Sequence, residues 1–496
     1  MNMFNEYKWN DTDNAPGSEY SQYEKDYIDS YLENNRLDPA NYPNTDWDEL
    51  MLNKVAPRHK HTLVMNYGND KIQSRASLGY EKSKAIYDHY NFEQYRGRVK
   101  NHFNFSKMWN ADVDFSFTQH LRNTPQTSLV IKHASKAPGI YPAVNPDGSI
   151  ASGQKGANEY AKLREGGSIQ KRSRTAQGKI ALDFRPVGGL SISGVVAPLF
   201  IYSKTKDFSK KIPYYDANEP GVVQGYISGH ESTSLTESRS ERIEWSKQLL
   251  LNYENSFASK HNVNFMLGYE DFTYNLENLS AGSDQFELNN FPYLDLGNKN
   301  YLSNSGDATT YAYRSYFGRL AYNFGNRYYV QANMRADGSS RFHKDNRWGF
   351  FPSASLGWVV TGEKFMEDVP TSALSYLKLR GSFGTLGNER IGNYYPYQAS
   401  VSFSDAVFVD SSGNLVSGMT GAQVDYAVRD ISWETTYTWD IGLDATFLDD
   451  RLSLTADYYY KKTKDMLLEV KIPSFMGYGN PNQNAGDMNT RGWELR

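Results

Sequence analysis

Three short segments of this chain carry residue types that can bind or react, and the sequence favours a structural role for each. The glycine-rich run at residues 381–388 is similar to a nucleotide-binding loop, but it lacks the G-K-[ST] ending and no helical pattern follows it. His59 and His61 stand beside basic residues with no carboxylate cluster nearby, so a metal site is not expected. Residues 337–340 predict a hairpin turn, because a calcium loop needs more carboxylates at alternate positions.

No catalytic motif is recognisable in the sequence. The hydrolase, zinc-protease and kinase signatures are missing, and the chain has 0 Cys, which excludes disulfides, thiolate metal sites and cysteine nucleophiles. Acidic pairs at residues 367–368 and 449–450 occur at turns, where solvation explains them. A glycosidase pair stays open as an alternative, because its two carboxylates can be far apart in the sequence. We predict that the protein is not an enzyme and has no catalytic, cofactor or metal site.

The composition favours strands and turns over helices. With 53 Lys and Arg against 57 Asp and Glu, the net charge is −4, which argues against a nucleic-acid partner. No run approaches the roughly 18 apolar residues of a transmembrane helix. The chain contains 38 Tyr and 39 Gly but only 18 Pro, which suits half-buried strands and tight turns. Low hydropathy does not exclude a membrane barrel, since only alternate residues of its strands need to be apolar.

The strands that would position any site begin near residue 60, where apolar and polar residues start to alternate with a period of two. Leu452, Leu454 and Ala456, for example, alternate with polar residues, and roughly fifteen segments of this kind follow one another. Residues 1–59 are polar and predict a loop or insertion on the external side, with a short helix over residues 19–34 suggested by tyrosines at helical spacing. The two predicted regions are therefore residues 1–59 and an incomplete barrel over residues 60–496.

Short and long connections alternate between the predicted strands. The long ones are residues 81–94, 120–173, 201–240, 276–309, 338–346, 385–430 and 466–487. One moderate connection, residues 361–375, stands where a short one is due and contains a possible helical turn at 363–366. In an up-and-down antiparallel sheet this alternation puts tight turns at one end and long loops at the other, which is typical of outer-membrane barrels.

We therefore predict an all-β fold, a transmembrane antiparallel up-and-down β-barrel with short periplasmic turns and long external loops. A bilayer cannot satisfy an open sheet edge, so such a barrel must close, and its polar residues then line a wide lumen. The predicted lumen-facing residues are Gln331, Asn333, Arg335, Lys378, Arg380, Asp440 and Asp444. The alternative is a soluble sandwich or propeller, in which these residues face bulk water and the apolar rows are buried against another sheet.

Several motifs resemble those of one family in the same order. They are residues 335–342 with 348–358, 377–384 with 387–388, 433–436, 457–467 and 484–494, preceded by 43–47. Together they resemble SusC/RagA-type TonB-dependent outer-membrane transporters from residue 40 or so to the end. We interpret the motif residues themselves as structural, in turns, aromatic girdles and strand registers, and not as ligand contacts.

The resemblance implies a barrel of about 22 strands, of which this chain supplies roughly 15, and places a plug domain with a TonB box before residue 1 and the last strands after residue 496. It also implies energy from a TonB–ExbB–ExbD complex, a SusD-like lipoprotein partner, and import of oligosaccharides or, in some members, peptides. The location implied is the lipid of a Gram-negative, Bacteroidota-like outer membrane. Ligand contacts are expected in loops 120–173, 201–240, 276–309 and 385–430. The functional alternative is a soluble secreted glycan-binding β-protein.

Overall fold

A single 15-stranded antiparallel sheet dominates the structure, a computed structural model that describes residues 1–390, 392, 394–423 and 426–496. The strands are β1 (Arg58–Gly68), β2 (Ile72–Lys84), β3 (Asn91–Asn104), β4 (Trp109–Thr124), β5 (Gly167–Phe184), β6 (Leu190–Ser209), β7 (Pro213–Tyr215), β8 (Val223–Tyr226), β9 (Ser234–Phe257), β10 (His261–Ser283), β11 (Leu302–Phe324), β12 (Tyr328–Ser339), β13 (Trp348–Val359), β14 (Tyr376–Asn388), β15 (Ser402–Val409), β16 (Leu415–Ala422), β17 (Glu434–Phe447), β18 (Leu452–Glu469) and β19 (Asn482–Leu495). The large sheet follows chain order from β1 to β19, while β7–β8 and β15–β16 form separate two-stranded sheets. The predicted all-β, up-and-down antiparallel architecture is confirmed.

Helices are short and lie outside the large sheet. They are α1 (Asn2–Asn10), α2 (Lys25–Leu37), α3 (Trp47–Met51), α4 (Val130–Ala134) and α5 (Glu159–Glu165), with 3-10 turns at Leu294–Leu296, Lys299–Tyr301, Val360–Gly362, Lys364–Met366 and Ser474–Met476. Among the described residues, no helix has the length and apolar character that a membrane crossing requires.

The alternation of short and long connections is confirmed. Tight turns join β1 to β2, β3 to β4, β5 to β6, β9 to β10, β11 to β12 and β17 to β18. Between β11 and β12, Gly325 and Asn326 both have positive φ, of 59° and 56°, as the two central residues of a type I′ turn require, and Arg327 N donates to the Phe324 carbonyl at 3.0 Å. The connection between β13 and β14 is the moderate exception, and its predicted helical turn is the 3-10 turn Lys364–Met366.

The predicted boundaries of the long connections are wrong, because the strands reach further than their alternating patterns. β9 has 24 residues, and β10 and β11 have 23 each. Their outer ends fall inside the segments 201–240 and 276–309 that the sequence assigns to loops. Hydrogen bonds continue the ladder there, for example from Leu279 to its partner Gly306. Alternation marks only the part of a strand with one apolar and one polar environment, so it ends before the strand does.

The two faces of the large sheet differ as predicted. The apolar face carries rows such as Leu63, Leu78 and Phe117, which are registered across strands. Leu452 is 53% exposed and Leu454 36%, and Ile441 reaches 70%. Within the described residues these strands make their extensive contacts with neighbours in the same sheet, and no second sheet covers them. The soluble alternative requires these rows to be buried beneath a second layer, which they are not.

The N-terminal segment packs against the connection between β4 and β5. Trp47 and Met51 share a buried core with Val130, Ala134 and Leu163, and the Trp47 indole nitrogen donates to the carbonyl of Pro138 at 3.2 Å. The segment therefore lies at the end of the sheet that carries the long connections.

Helix α2 begins later than the predicted helix over residues 19–34. The side chain of Asn5 explains the delay, because its Oδ1 accepts from the backbone nitrogens of Gln22 and Tyr23 and its Nδ2 donates to the carbonyl of Tyr23. These bonds occupy backbone groups that an earlier helix start would need. The tyrosines at helical spacing still contact one another, with the rings of Tyr27 and Tyr31 edge to face at 71° and their centres 5.4 Å apart.

Candidate functional site

The predicted site residues lie on the polar face of the sheet, and four of the seven belong to two separate groups. The first, the aspartate–arginine cluster, consists of Arg380, Asp440, Asp444 and Asp457. Arg380 Nη2 donates to Asp457 Oδ2 at 2.7 Å, its Nε donates to Asp444 Oδ2 at 3.1 Å, and its Nη1 lies 3.4 Å from Asp440 Oδ1. Three of these residues are predicted site residues. The polar period places Asp457 on the same face, although it is not among the predicted site residues.

Gly442 makes the aspartate–arginine cluster possible. It pairs with Arg380 on one side and with Asp457 on the other, directly between the two charged side chains. A Cβ at residue 442 would stand 2.4 Å from Arg380 Cζ and 2.4 Å from Asp457 Oδ1. The guanidinium crosses from β14 to β18 over this glycine, so the position requires a residue without a side chain.

Arg335 organises the second group. Its Nε donates to both carboxylate oxygens of Asp337, at 2.8 and 2.9 Å, and its Nη2 donates to Ser315 Oγ at 2.9 Å. Glu270 Oε2 lies 3.5 Å from the same Nη2, and the guanidinium stands 5.2 Å from the ring centre of Phe317. Charge-assisted bonds to two carboxylates hold this guanidinium in one orientation.

The remaining predicted residues are held by weaker contacts. Asn333 Nδ2 donates to Ser353 Oγ at 3.0 Å, and Gln331 Nε2 donates to Asn333 Oδ1 at 3.3 Å. Lys378 Nζ stands 5.1 Å from the ring centre of Tyr329. Within the described part of the chain, no hydrogen bond or ion pair joins the Arg335 group to the aspartate–arginine cluster. The seven predicted residues are thus wall positions and do not converge on one point.

A convergent site does exist nearer the long connections, and the sequence analysis missed it. We call it the aromatic–arginine cluster, formed by Tyr274, Tyr311, Arg341, Glu389 and Tyr394. The Arg341 guanidinium stands 4.4 Å from the ring centre of Tyr394 and 5.0 Å from that of Tyr311. Tyr394 in turn stacks on Tyr274, with ring planes 11° apart and centres separated by 6.2 Å.

The aromatic–arginine cluster also presents a carboxylate. Glu389 Oε1 accepts from the hydroxyl of Tyr311 and lies 3.9 Å from Arg341 Nε. Its Oε2 is buried and has no hydrogen-bond partner among the residues that the structure describes. Flat aromatic faces, a guanidinium and an acceptor oxygen in one place can stack on a ring and bind hydroxyl or amide groups.

Two features hid this cluster in the sequence. Tyr274 and Tyr311 are directly paired across β10 and β11 on the polar face, where the alternation of residue types no longer shows the strand. Arg341 belongs to a motif that we interpret as structural, and Glu389 and Tyr394 lie in the predicted ligand loop 385–430. Residues 391, 393, 424 and 425 of that loop lie outside the described residues. An unusual density of tyrosines near strand ends was the available signal.

The long connections pack on one another. Ala161, Ile212 and Ile227, from two different connections, form a buried cluster, and Tyr215 N donates to the Ile150 carbonyl at 2.8 Å. His230 is only 4% exposed, and its Nδ1 lies 2.8 Å from the Lys210 carbonyl. Burial lowers the pKa of His230 below its usual value. A neutral ring that donates to a carbonyl fits this packed environment.

The sequence matches one known protein family. A sequence model of the family described as "TonB dependent receptor-like, beta-barrel" matches residues 144–496. The TonB-dependent receptor P39 of Formosa agariphila is 27% identical over 455 residues, covering 90% of this chain and 41% of that protein. The TonB-dependent receptor SusC of Bacteroides thetaiotaomicron is 39% identical over 203 residues, covering 38% of this chain and 19% of SusC. The chain spans less than half the length of these curated relatives.

Solved structures share the fold. The RagAB peptide transporter superposes with a TM-score of 0.74 at 24% sequence identity, covering 92% of this chain and 50% of the other. The outer membrane transporter YddB from Escherichia coli superposes with a TM-score of 0.53 at 11% identity, covering 89% of this chain and 51% of the other.

Proposed function

This chain belongs to the family of TonB-dependent receptor-like β-barrels, in its SusC/RagA type, and from that premise we propose that it forms the wall of an importer for oligosaccharides. The all-β transmembrane barrel predicted from the sequence is the fold of this family, whose members are outer-membrane receptors and transporters and not enzymes. In our proposal the apolar face contacts outer-membrane lipid and the polar face lines the lumen. Energy comes from a TonB–ExbB–ExbD complex, and a SusD-like lipoprotein covers the long connections.

The aromatic–arginine cluster is the observation that carries this proposal. It lies on the polar face at the end of the sheet with the long connections, where a ligand arriving from outside first meets the wall. The stacked rings of Tyr274 and Tyr394 offer flat apolar surfaces, and Glu389 Oε2 is a buried acceptor. Sugars present apolar ring faces and many hydroxyl donors, so they complement both features.

Peptides are the second candidate ligand. The structure with a TM-score of 0.74 is that of a peptide transporter, and the guanidinium of Arg341 with the carboxylate of Glu389 can bind the carbonyl and amide groups of a peptide backbone. Aromatic surfaces serve either ligand, so the binding experiment must include both classes.

The test uses the complete protein that contains this chain, purified in detergent, and panels of oligosaccharides and peptides. We expect micromolar binding of at least one class, and we expect Tyr394→Ala to weaken it at least tenfold, which corresponds to about 1.4 kcal/mol. The matched control is Tyr458→Ala, because Tyr458 is 50% exposed on the apolar face. Equal affinities of the two variants and the unmodified protein would place the ligand elsewhere and refute the assignment of this cluster.

A further inference from the structure

A patch of positive charge lies on the apolar face, beyond a row of tyrosines. Tyr80, Tyr95 and Tyr202 mark that row, with Gln119 and Arg174 between Tyr95 and Tyr202, and the rings of Tyr80 and Tyr95 are 5.2 Å apart. Two residues further toward the long connections, β2, β5, β6 and β9 carry cations on this face, whereas β4 carries Leu121; Lys206 lies two residues beyond Lys204. We call the following side chains the basic outer patch: Lys82, Arg172, Lys204, Lys206 and Arg239.

The basic outer patch has more cations than carboxylates. Lys82 pairs with Glu93 at 2.6 Å, which balances one charge. Lys204, Lys206 and Arg239 all approach the single carboxylate of Glu237, at 3.3, 3.4 and 3.7 Å. Arg172 is exposed and forms no ion pair within the described residues, although it is registered directly opposite Lys204. Of the five cations, four therefore lie beside two carboxylates, and Arg172 adds a further positive charge.

A shallow cavity lies within this patch. It has a volume of about 340 Å³, and its lining includes Leu121, Asn123, Arg172, Lys204 and Lys206, together with Glu93, the carboxylate that pairs with Lys82. The Oδ1 atom of Asn123 is buried and has no hydrogen-bond partner among the described residues. The cavity therefore combines guanidinium and ammonium donors with an apolar side chain and an unused acceptor.

The position of the basic outer patch indicates which kind of molecule it contacts. Aromatic rows mark the edge of the apolar band of a membrane barrel, and the polar headgroups lie just beyond them. At the level of Lys204 and Arg239, the outward residue of β10 is the uncharged Leu279, and the tyrosine row continues on β9 and β10 with Glu241 and Glu277, so the positive charge is local. Lys and Arg next to a bilayer bind anionic headgroups, and Arg in particular binds phosphate through paired donors.

We propose that the basic outer patch binds the phosphate groups of a lipid in the outer leaflet of the membrane. Arg172 and Lys204 bind the phosphate, Leu121 contacts the start of the acyl chains, and Asn123 Oδ1 accepts from an amide or hydroxyl of the headgroup. The site faces away from the polar face, so it is separate from the route of the imported ligand. It depends on the transmembrane fold and not on the identity of that ligand.

The test compares two triple variants of the complete protein in detergent micelles. One is R172Q/K204Q/K206Q in the patch, and the control is K60Q/K100Q/K179Q, which removes the same charge from the polar face of β1, β3 and β5, outside the cavity. Binding of lipid A with its phosphates is measured by native mass spectrometry, alongside lipid A stripped of phosphate and inorganic phosphate alone. Retained secondary structure and heat-modifiable gel mobility show that each variant is folded.

We expect at least tenfold weaker binding of phosphorylated lipid A by the patch variant and less than a twofold change in the control. Stripped lipid A and inorganic phosphate should bind the unmodified protein at least tenfold more weakly. If the patch triple does not fold, R172Q alone should weaken binding at least threefold. Unchanged binding, equal losses in both triples, or equal affinity for stripped lipid or for inorganic phosphate would overturn the proposal. A changed oligomeric state with unchanged lipid binding would also overturn it, and would identify a contact between copies.

Discussion

Replacing Arg380 by methionine tests the most highly charged element of the wall. The substitution keeps much of the side-chain volume but removes the cation that holds Asp440, Asp444 and Asp457 together. Three carboxylates then face one another across β17 and β18 without the guanidinium that pairs with all of them. We expect the free energy of unfolding to fall and the native fold to persist.

The magnitude follows from the exposure of the groups. Fully exposed ion pairs contribute about 0.2–1 kcal/mol each, whereas breaking a buried pair costs about 3–5 kcal/mol. The side chain of Arg380 is 30% exposed, and those of Asp440, Asp444 and Asp457 are 26%, 32% and 18% exposed. The cluster lies between the two limits, so we expect a loss of about 1–3 kcal/mol, most of it from the close contact with Asp457.

The assay is urea unfolding of the complete barrel in lipid vesicles, followed by tryptophan fluorescence. Lys378→Met is the matched control, because Lys378 lies on the same strand and face and contacts a tyrosine ring; a loss below about 1 kcal/mol is expected. The double variant Arg380→Met/Asp457→Asn should recover part of the loss, since it removes one unpaired carboxylate. Strict additivity of the Arg380 and Asp457 substitutions, or a loss in Arg380→Met no larger than in the control, would refute the reasoning.

Three further predictions concern packing and protonation. Gly442→Ala should destabilise the barrel by about 1–3 kcal/mol in the same urea assay, because its Cβ would displace the Arg380 guanidinium, and Gly381→Ala, whose nearest contact is 3.8 Å away, should change it by less than half as much. Trp47→Ala should raise the hydrogen exchange of residues 130–134 at least tenfold, because it opens the core shared with α4, whereas Trp9→Ala should leave that segment unchanged. Burial lowers the pKa of His133 as well as that of His230, so both rings are neutral in the folded connections and their stabilising contribution is complete above the unfolded value of about 6.5. That contribution is lost as the pH falls through the lowered folded values, so exchange in residues 125–166 and 210–233, corrected for the intrinsic rate, should rise between pH 7.5 and pH 5, and His230→Gln should reduce the rise.

The sheet could be predicted from the sequence because apolar residues such as Leu452, Leu454 and Ala456 alternate with polar ones at a period of two. The same alternation predicts which residues share the polar face. It places Arg380, Asp440 and Asp444, which form ion pairs, together on that face. The aromatic–arginine cluster could not be predicted from the sequence, because Tyr311 and Tyr394 are far apart in the chain. They come together only where a long connection folds back over β11. The alternation of residue types shows which face of a strand is apolar and which is polar. The position of a site built from several connections depends instead on how those connections fold.

The late start of α2 shows the same limit on a smaller scale. The helical spacing of the tyrosines predicts a helix, and the edge-to-face contact between the rings of Tyr27 and Tyr31 follows from it. The first residues of that pattern do not join the helix, because Asn5, from a preceding helix, forms hydrogen bonds with the backbone of Tyr23. A contact between distant residues therefore overrides a local preference, and one sequence window does not contain it.

The great length of β9, β10 and β11 has a mechanical consequence. At about 3.3 Å per residue, the 24 residues of β9 extend roughly 80 Å, and at a tilt near 40° they still rise about 60 Å, against an apolar band of about 25 Å. A stiff, hydrogen-bonded collar therefore projects well above the bilayer on this side of the protein. The SusD-like lipoprotein that we propose as a partner would therefore dock on a rim of continuously paired strands.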